Sequence, residues 1–405
     1  GLRQPLSRED GIFPVAQFSS SSDSWLPVVP GWDTSQQMHL REAERTLNSR
    51  VRVVVIGCGQ MGGAHARAYA RIPEFEIVAL VNRGQAKREA LSAELGGVPH
   101  FATVEEALAS TRPDAAAICT FTETHAPLAR ICLEAGLHVF LEKPIAPTVA
   151  EAEEVVRLAR EKGKALVIGY ILRHHPTWER FIELARTKGK PLVMRMNLNQ
   201  QSDGAMWQTH KGILNSTSPL VDVGVHYVDV MCQMTRSRPV SVHAIGARLT
   251  DEIAPGMINY GQLQVRFEDG SIGWFESGFG PMISQTAFFV KDVFGPRGSV
   301  TLLGAQEDGD EAGSSSDRES HTGSAGIRIH SADLNPDGTF ARADEWVKTE
   351  GEPDHLKLCE REQRYFLRAI RESLDLNDHW QDAVNSLRVT LAAEESVRTG
   401  QVVQL

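Results

Sequence analysis

The chain has 405 residues, a length that predicts two or three domains. Lys and Arg number 42 against 52 Asp and Glu, a net charge of −10, and so acidic a chain makes a poor binder of nucleic-acid backbones. Hydrophobic residues at 41% and charged residues at 23% describe an ordinary globular protein, and no apolar run approaches the ~20 residues of a membrane span.

Residues 1–50 read differently from the rest. The opening GLRQPLSRED carries no signal-peptide core. The Ser run 19–22 and Pro14, Pro27 and Pro30 follow without helical or alternating period. An N-terminal arm is expected here. Either it is mobile or precedes a start at Met38, or it packs on a neighbouring subunit through Trp25, Leu26, Val28, Val29 and Trp32.

Regular patterning begins at Val51–Ile56, an apolar β-branched run of the buried parallel-strand type. A Gly-rich turn and a helix over 60–71 follow, then a strand over 76–81 and a helix over 86–95. Thr103 and Glu106 form a capping box opening a short helix. A strand over 115–120, a helix over 127–135 and the strand His138–Leu141 come next. Thr148 and Glu151 open a helix to about 162, and 165–168 is a further strand. This alternation predicts a doubly wound parallel sheet over residues 51–170.

The rhythm then changes. A helix over 178–186 precedes alternating strands over 192–199, 240–249, 259–267, 271–277 and 287–293, with a hairpin signal at Glu268-Asp269-Gly270. Residues 171–405 therefore predict an α+β domain with a mostly antiparallel sheet. Residues 305–326 are acidic and rich in Ser and Gly, a solvated loop. Two helices, over 356–373 and 381–399, end the chain. The five cysteines, Cys58, Cys119, Cys132, Cys232 and Cys359, are scattered, odd in number and without a C-x-x-C pair. They argue against disulfides or structural zinc and for a reducing, cytoplasmic setting, with Cys58 and Cys119 as small packing residues.

Gly57-Cys58-Gly59-Gln60-Met61-Gly62 is the strongest local motif. It follows a strand and opens a helix, the context in which G-x-G-x-x-G signals a dinucleotide. Gly57 permits the turn, Gly59 admits a pyrophosphate, Gly62 lets helix and strand pack, and the helix N-terminus faces the anion at Gln60 and Met61. At the end of the second strand, where a carboxylate would repel a 2′-phosphate, stands Asn82 followed by Arg83, with Lys87 and Arg88 beyond. This favours NADP over NAD, and NAD stays open because Asn can bond a ribose hydroxyl.

Two motifs carry chemistry. Glu142-Lys143-Pro144 follows the strand His138–Leu141 at a strand end, where ligands sit in open α/β sheets; alone, Lys143 reads as a surface charge. Asp222 and His226, at i and i+4, predict one shared helix face; alone, His226 reads as structural. Together with the Gly-rich turn they resemble the glucose–fructose oxidoreductase/inositol dehydrogenase/rhizopine catabolism (Gfo/Idh/MocA) family. Gly169-Tyr170, Arg173 and the tail 383–405 add to the likeness, which covers about 51–302 and resumes over 356–405.

The resemblance implies an N-terminal Rossmann domain and a C-terminal domain with a large open sheet that forms homodimer or homotetramer interfaces. It implies Lys143, with Glu142, beside the nicotinamide and the substrate hydroxyl, Asp222 placing that hydroxyl, and His226 as general acid/base. An imidazole that titrates near neutrality suits proton exchange with a carbinol. The loop of Thr120, Thr122, Glu123 and His125 is expected to touch the cofactor. Tyr170, Arg173, Asn199, and Trp207, His210 and Lys211 in a following loop, are expected on the substrate side. The segment 214–219 departs from the family's usual Gly-rich pattern. The spacing of His174, His175, His210 and His226 matches no standard ligand set, so no metal is expected.

The implied activity is an NAD(P)-dependent oxidoreductase acting on a secondary hydroxyl or ketone of a sugar, sugar derivative or cyclitol, with no nucleic-acid or membrane partner. An alternative is a glycosidase that oxidises, eliminates, hydrates and re-reduces with retained NAD. Another is a non-catalytic dinucleotide-binding regulator.

Overall fold

Val51–Ile56 forms β1, buried almost throughout, and α1 (Gln60–Ala70) leaves it through the Gly-rich turn. The computed structural model describes residues 49–284, 290–304, 323–349 and 351–405. Nearly all of the expected arm and the loop residues 305–322 lie outside them, as do 287–289 of the strand expected over 287–293.

Strand and helix then alternate as β2 (Phe75–Val81), α2 (Gln85–Glu94), β3 (His100–Phe101), α3 (Val104–Thr111), β4 (Ala115–Ile118), α4 (His125–Glu134), β5 (His138–Leu141), α5 (Val149–Lys162) and β6 (Leu166–Ile168). Their parallel sheet has the order β3-β2-β1-β4-β5-β6. The order reverses between β1 and β4, and a crevice opens there at the strands' carboxyl ends. The expected capping box on α3 is complete: Glu106 N–H donates to Thr103 Oγ1, and Thr103 N–H to Glu106 Oε2. On α5 only half of it forms. Glu151 N–H donates to Thr148 Oγ1, but the Glu151 carboxylate takes the Thr148 hydroxyl proton, not the backbone N–H.

Past β6 come α6 (Pro176–Arg186), β7 (Val193–Gln201), α7 (Gly204–Leu214), the short α8 (Pro219–Asp222) and α9 (Gly224–Thr235). Next are β8 (Pro239–Ala247), β9 (Tyr260–Phe267), β10 (Ile272–Gly280), β11 (Lys291–Gly295), β12 (Gly298–Gly304), β13 (Ser324–Ser331) and β14 (Glu345–Lys348). The chain closes with α10 (His355–Arg371), α11 (Asn377–Thr399) and β15 (Val403–Gln404). The second sheet runs β14-β13-β12-β11-β7-β10-β9-β8-β15, and among the described residues β7 with β10 is its one parallel pair. Residues 324–326, expected in the loop, belong to β13, where they pair with β12 and β14. Strands β12 to β14 were not foreseen.

Two hydrophobic cores sit behind the sheets. The first gathers β1, β4 and β5 with Phe366, Leu367, Trp380 and Leu387, so α10 and the first half of α11 return to the nucleotide-binding half. The second gathers Trp178, Phe181, Tyr227, Met231 and Phe275 behind the antiparallel sheet. The Gly-rich turn, the end of β5 and the α8–α9 joint meet between them around one cavity.

Candidate active site

The turn after β1 is built for close approach. Gly57 has φ +99°, and a Cβ on it would stand 2.3 Å from the Cys119 carbonyl oxygen. A Cβ on Gly62 would stand 1.7 Å from the Gly57 carbonyl oxygen, so α1 crosses β1 only with glycine there. Gly59 caps α1 without a side chain, and Gly59, Gln60 and Met61 border the cavity. With no side-chain cap from Gly59, that helix N-terminus suits a pyrophosphate. The cavity measures ≈ 2240 Å³, beyond the ~300–1,000 Å³ of single-ligand pockets, which leaves room for a dinucleotide and a substrate together.

Asn82 and Arg83, just past β2, border the cavity at one end. The Asn82 amide is engaged on both atoms: Oδ1 accepts the Cys58 N–H at 3.1 Å and Nδ2 donates to the Gly84 carbonyl at 2.9 Å. Arg88 is tied to the carbonyls of Asn82 and Arg83. Arg83 and Lys87 remain as the cations bordering this end. Thr120 and Thr122 form the opposite lip with Phe121, which is 77% exposed. His125 does not border the cavity. It is buried behind the lip, 2.7 Å from the Pro144 carbonyl and 3.1 Å from that of Thr120, and it ties the two loops together. Cys58 and Cys119 are buried, and burial pushes the Cys58 thiol up to about 11.

Lys143, Asp222 and His226 converge at the other end. Lys143 Nζ donates to the Asp222 carbonyl at 2.7 Å and to its Oδ1 at 3.0 Å. The expected single helix across Asp222 and His226 is two helices. Asp222 ends α8, Val223 turns the chain, and His226 lies in the first turn of α9. The break frees the Asp222 carbonyl from a continuous helical ladder, and Lys143 takes it as acceptor. His226 packs edge-on against Tyr170 at 5.8 Å, and its Nδ1 has no partner among the described residues. Burial, then the Lys143 charge, hold its imidazole down to about 3 against the pull of Glu142 and Asp222, so His226 is neutral. Burial raises the Asp222 carboxyl, but Lys143 outweighs it and the net displacement is downward.

Glu142 borders the same end. Burial pushes its carboxyl up; a hydrogen bond from His65 and nearby positive groups turn the balance downward. Glu362 on α10 also borders the cavity, buried, with Oε1 unpartnered among the described residues. Burial and the Glu142 charge hold its carboxyl well above the ordinary range. His65, Cys359 and Glu362 bring three ligand-type atoms within 4.8 Å of one another, but hydrogen bonds occupy both ring nitrogens of His65.

Of the residues expected on the substrate side, His210 borders the cavity, stacked on Phe279 at 4.4 Å with Nδ1 2.9 Å from Ser202 Oγ. The others stand behind the wall. Tyr170 is 1% exposed and its hydroxyl meets Ser386 Oγ at 2.8 Å. Arg173 is bound by the carboxylates of Asp229 and Asp382, at 2.6 and 2.8 Å. Asn199 donates to Glu276, and its strand neighbours Leu198 and Gln200 border the cavity in its place. Trp207 and Lys211 lie on α7, not in a loop, and both donate to Glu252. The sequence reading missed His65, Gln200, Glu362 and His175 as site residues. The position of His65 one turn into α1 was the available signal for it.

The family description "oxidoreductase family, NAD-binding Rossmann fold" matches residues 51–170, and a Gfo/Idh/MocA C-terminal domain matches 185–300. The chain is 28% identical to 4-carboxy-2-hydroxymuconate-6-semialdehyde dehydrogenase of Sphingobium sp., over 40% of this chain and 54% of that protein. It is 30% identical to UDP-N-acetylglucosamine 3-dehydrogenase of Acidithiobacillus ferrooxidans, over 50% of this chain and 60% of that protein. The chain thus spans a little over half the length of these two relatives. Its fold is similar to that of scyllo-inositol dehydrogenase from Lactobacillus casei with bound NAD(H) and scyllo-inositol, with TM-score 0.70, 18% identity and coverage of 88% and 99% of the two chains.

Proposed function

The chain belongs to the Gfo/Idh/MocA family of oxidoreductases, and on that premise we propose that it is an NAD(P)-dependent oxidoreductase acting on a secondary hydroxyl or ketone of a sugar, sugar derivative or cyclitol. The observation that carries the reading is the Lys143–Asp222 pair beside a neutral His226 in the cavity of the Gly-rich turn. The bound nicotinamide supplies the hydride acceptor or donor. In oxidation, neutral His226 takes the hydroxyl proton, and the Lys143 ammonium stabilises negative charge developing on the oxygen. Asp222 holds the ammonium in place. In reduction, His226 returns the proton to the oxygen.

Two finer readings follow. NADP is favoured over NAD, because Arg83 and Lys87 border the adenosine end while the Asn82 amide is consumed by backbone groups. The substrate is a polyol without an anionic group. Among the described cavity residues the Lys and Arg side chains are Arg83, Lys87 and Lys143, and the substrate end offers Gln200, Gln208, Thr209, His210, Ser216 and Thr217. The outer face of the second sheet is the proposed homo-oligomer interface. Across it the register sets Trp274 beside the Arg195–Asp292 ion pair, with Phe294 and Ile272 exposed nearby.

The test is absorbance of reduced nicotinamide with a panel of neutral sugars and inositols and their phosphates, with NAD and NADP. Turnover of a neutral polyol that is lost when Lys143 or His226 is replaced supports the reading. Wild-type rates in both variants refute it. Glycoside cleavage with retained cofactor and no net reduced nicotinamide would move the assignment to the redox-assisted glycosidase. Cofactor binding with no turnover across the panel would move it to a regulator.

A further inference from the structure

His65 lies in α1 three residues past Gly62 and is 0% exposed. Its ring packs on Phe140 at 4.7 Å. Nε2 stands 2.8 Å from Glu142 Oε1, and Nδ1 stands 2.9 Å from the Gln363 side-chain nitrogen. The Glu142 carboxylate only accepts, so Nε2 carries the proton given to it, and the Gln363 amide nitrogen turned to Nδ1 donates there. Glu142 Oε2 in turn accepts the Lys143 backbone N–H at 3.1 Å. The Gly169 backbone closes the far side, where a Cβ would stand 3.3 Å from the Glu142 carboxyl carbon. A hydrogen-bonded chain therefore runs Gln363–His65–Glu142–Lys143, from α10 through α1 to the turn after β5.

We propose that His65 is a positioning residue for Lys143: it fixes the Glu142 carboxylate that holds the Lys143 main chain, and Gln363 fixes the His65 tautomer. A satisfied core histidine would serve packing wherever it lay. This one donates to the residue whose other oxygen anchors the reacting lysine, while Asp222 holds that lysine's ammonium. Lys143 is thereby fixed at both ends of its side chain. The proposal rests on the dehydrogenase reading above.

The groups facing Glu142 are His65 on α1, Cys119 after β4, His125 on α4, its neighbour Lys143, His226 on α9, and Cys359 and Glu362 on α10. Of these, His65 is the side chain that hydrogen-bonds the Glu142 carboxylate. Without it Glu142 protonates at higher pH, and the Lys143 N–H loses its anionic acceptor as pH falls.

The test compares His65→Ala with His65→Gln, whose amide nitrogen reaches the place of Nε2. His65→Ala is expected to lower kcat about 10–100-fold, the scale of a misplaced reacting group. It should also add an acid limb to the kcat profile and leave the cofactor Kd at its wild-type value. His65→Gln should recover most of kcat and remove the added limb. Wild-type kcat and pH profile in His65→Ala would overturn the proposal. So would a His65→Gln no better than Ala, with cofactor affinity and thermal stability falling together in both. Should His65→Ala fail to fold, ¹⁵N shifts of the His65 ring in the wild-type protein judge the same point. A pyridine-like Nδ1 with a protonated Nε2 at neutral pH supports it, and the reverse tautomer overturns it. Absence of any wild-type turnover would sink the dehydrogenase reading and leave the ring measurement to judge the chain of bonds.

Discussion

Lys143→Met removes one charge and keeps most of the side chain's volume. The side chain is 20% exposed, and its ammonium is bonded twice to Asp222, at 2.7 and 3.0 Å. A unit charge ~4 Å from an oxygen that becomes negative contributes about 4 kcal/mol at an effective dielectric of ~20. Loss of one such stabilising group costs roughly 10²–10³ in kcat, and a loss of that size is expected here. The variant should also change pH behaviour, because Lys143 is the second cause, after burial, holding His226 down to about 3. Without it the imidazole pKa rises toward its ordinary value of 6.5. In the proposed reaction neutral His226 accepts the hydroxyl proton, so protonation on falling pH should stop oxidation, and the acid limb is expected to move to higher pH in the variant. The assay is kcat/KM for oxidation across about pH 5–8, the range in which an ordinary imidazole titrates. Wild type is expected flat on the acid side while it stays folded, and Lys143→Met is expected to bend downward. A variant with lowered kcat and an unmoved profile would refute the coupling of Lys143 to His226.

Gly62→Ala places a Cβ where the structure allows 1.7 Å to the Gly57 carbonyl, so dinucleotide affinity should fall steeply, read by fluorescence titration; unchanged affinity would count against the turn as the pyrophosphate site. Arg83→Ala combined with Lys87→Ala should lower kcat/KM for NADP more than for NAD, on the order of tenfold for one lost charge-assisted contact of ~1.5 kcal/mol; an unchanged ratio would remove the basis for NADP preference. Lys291 is buried and pushed down to about 7 from 10.5. Between those values the unfolded chain holds a proton that the folded chain lacks, so stability rises with pH through that window. Lys291→Met should flatten this rise, measured as thermal midpoints on either side of pH ~8. A wild type whose stability falls with pH there, or a variant with the same slope, would contradict the burial argument.

The nucleotide-binding half was legible because its chemistry is local. A β-branched run, three glycines at fixed spacing and a helix leave little freedom for Val51–Ile56 and the turn after it. Lys143, Asp222 and His226 were legible only jointly, since each alone has an ordinary structural explanation. The substrate wall was far less legible. Arg173 looks the same in sequence whether it meets a ligand or, as it does, two buried carboxylates at 2.6 and 2.8 Å. Trp207 and Lys211 read as loop residues beside Gly204 and Gly212, yet α7 forms and turns both toward Glu252. Strands β12 to β14 were missed for unlike reasons: β12 does alternate, with Val300 and Leu302 buried, whereas β14, Glu345–Lys348, is a four-residue edge strand with almost no pattern.

The overall charge of −10 says little about this site, because its acidity is set by burial and pairing. Three carboxyls gather near Lys143: Asp222 and Glu142, both displaced downward, and Glu362, displaced well upward. Asp222 has the ammonium and Glu142 has His65 and the Lys143 N–H, so each can hold charge away from water. Glu362 has no such donor on Oε1 among the described residues, and burial, then the Glu142 charge, hold its carboxyl well above the ordinary range. The ammonium is therefore balanced by the two carboxylates that also hold it, one at its head and one at its backbone. In the proposed reaction a cation fixed in this way needs no rearrangement as the substrate oxygen becomes negative, and preorganised charge of that kind is usually the largest single catalytic term.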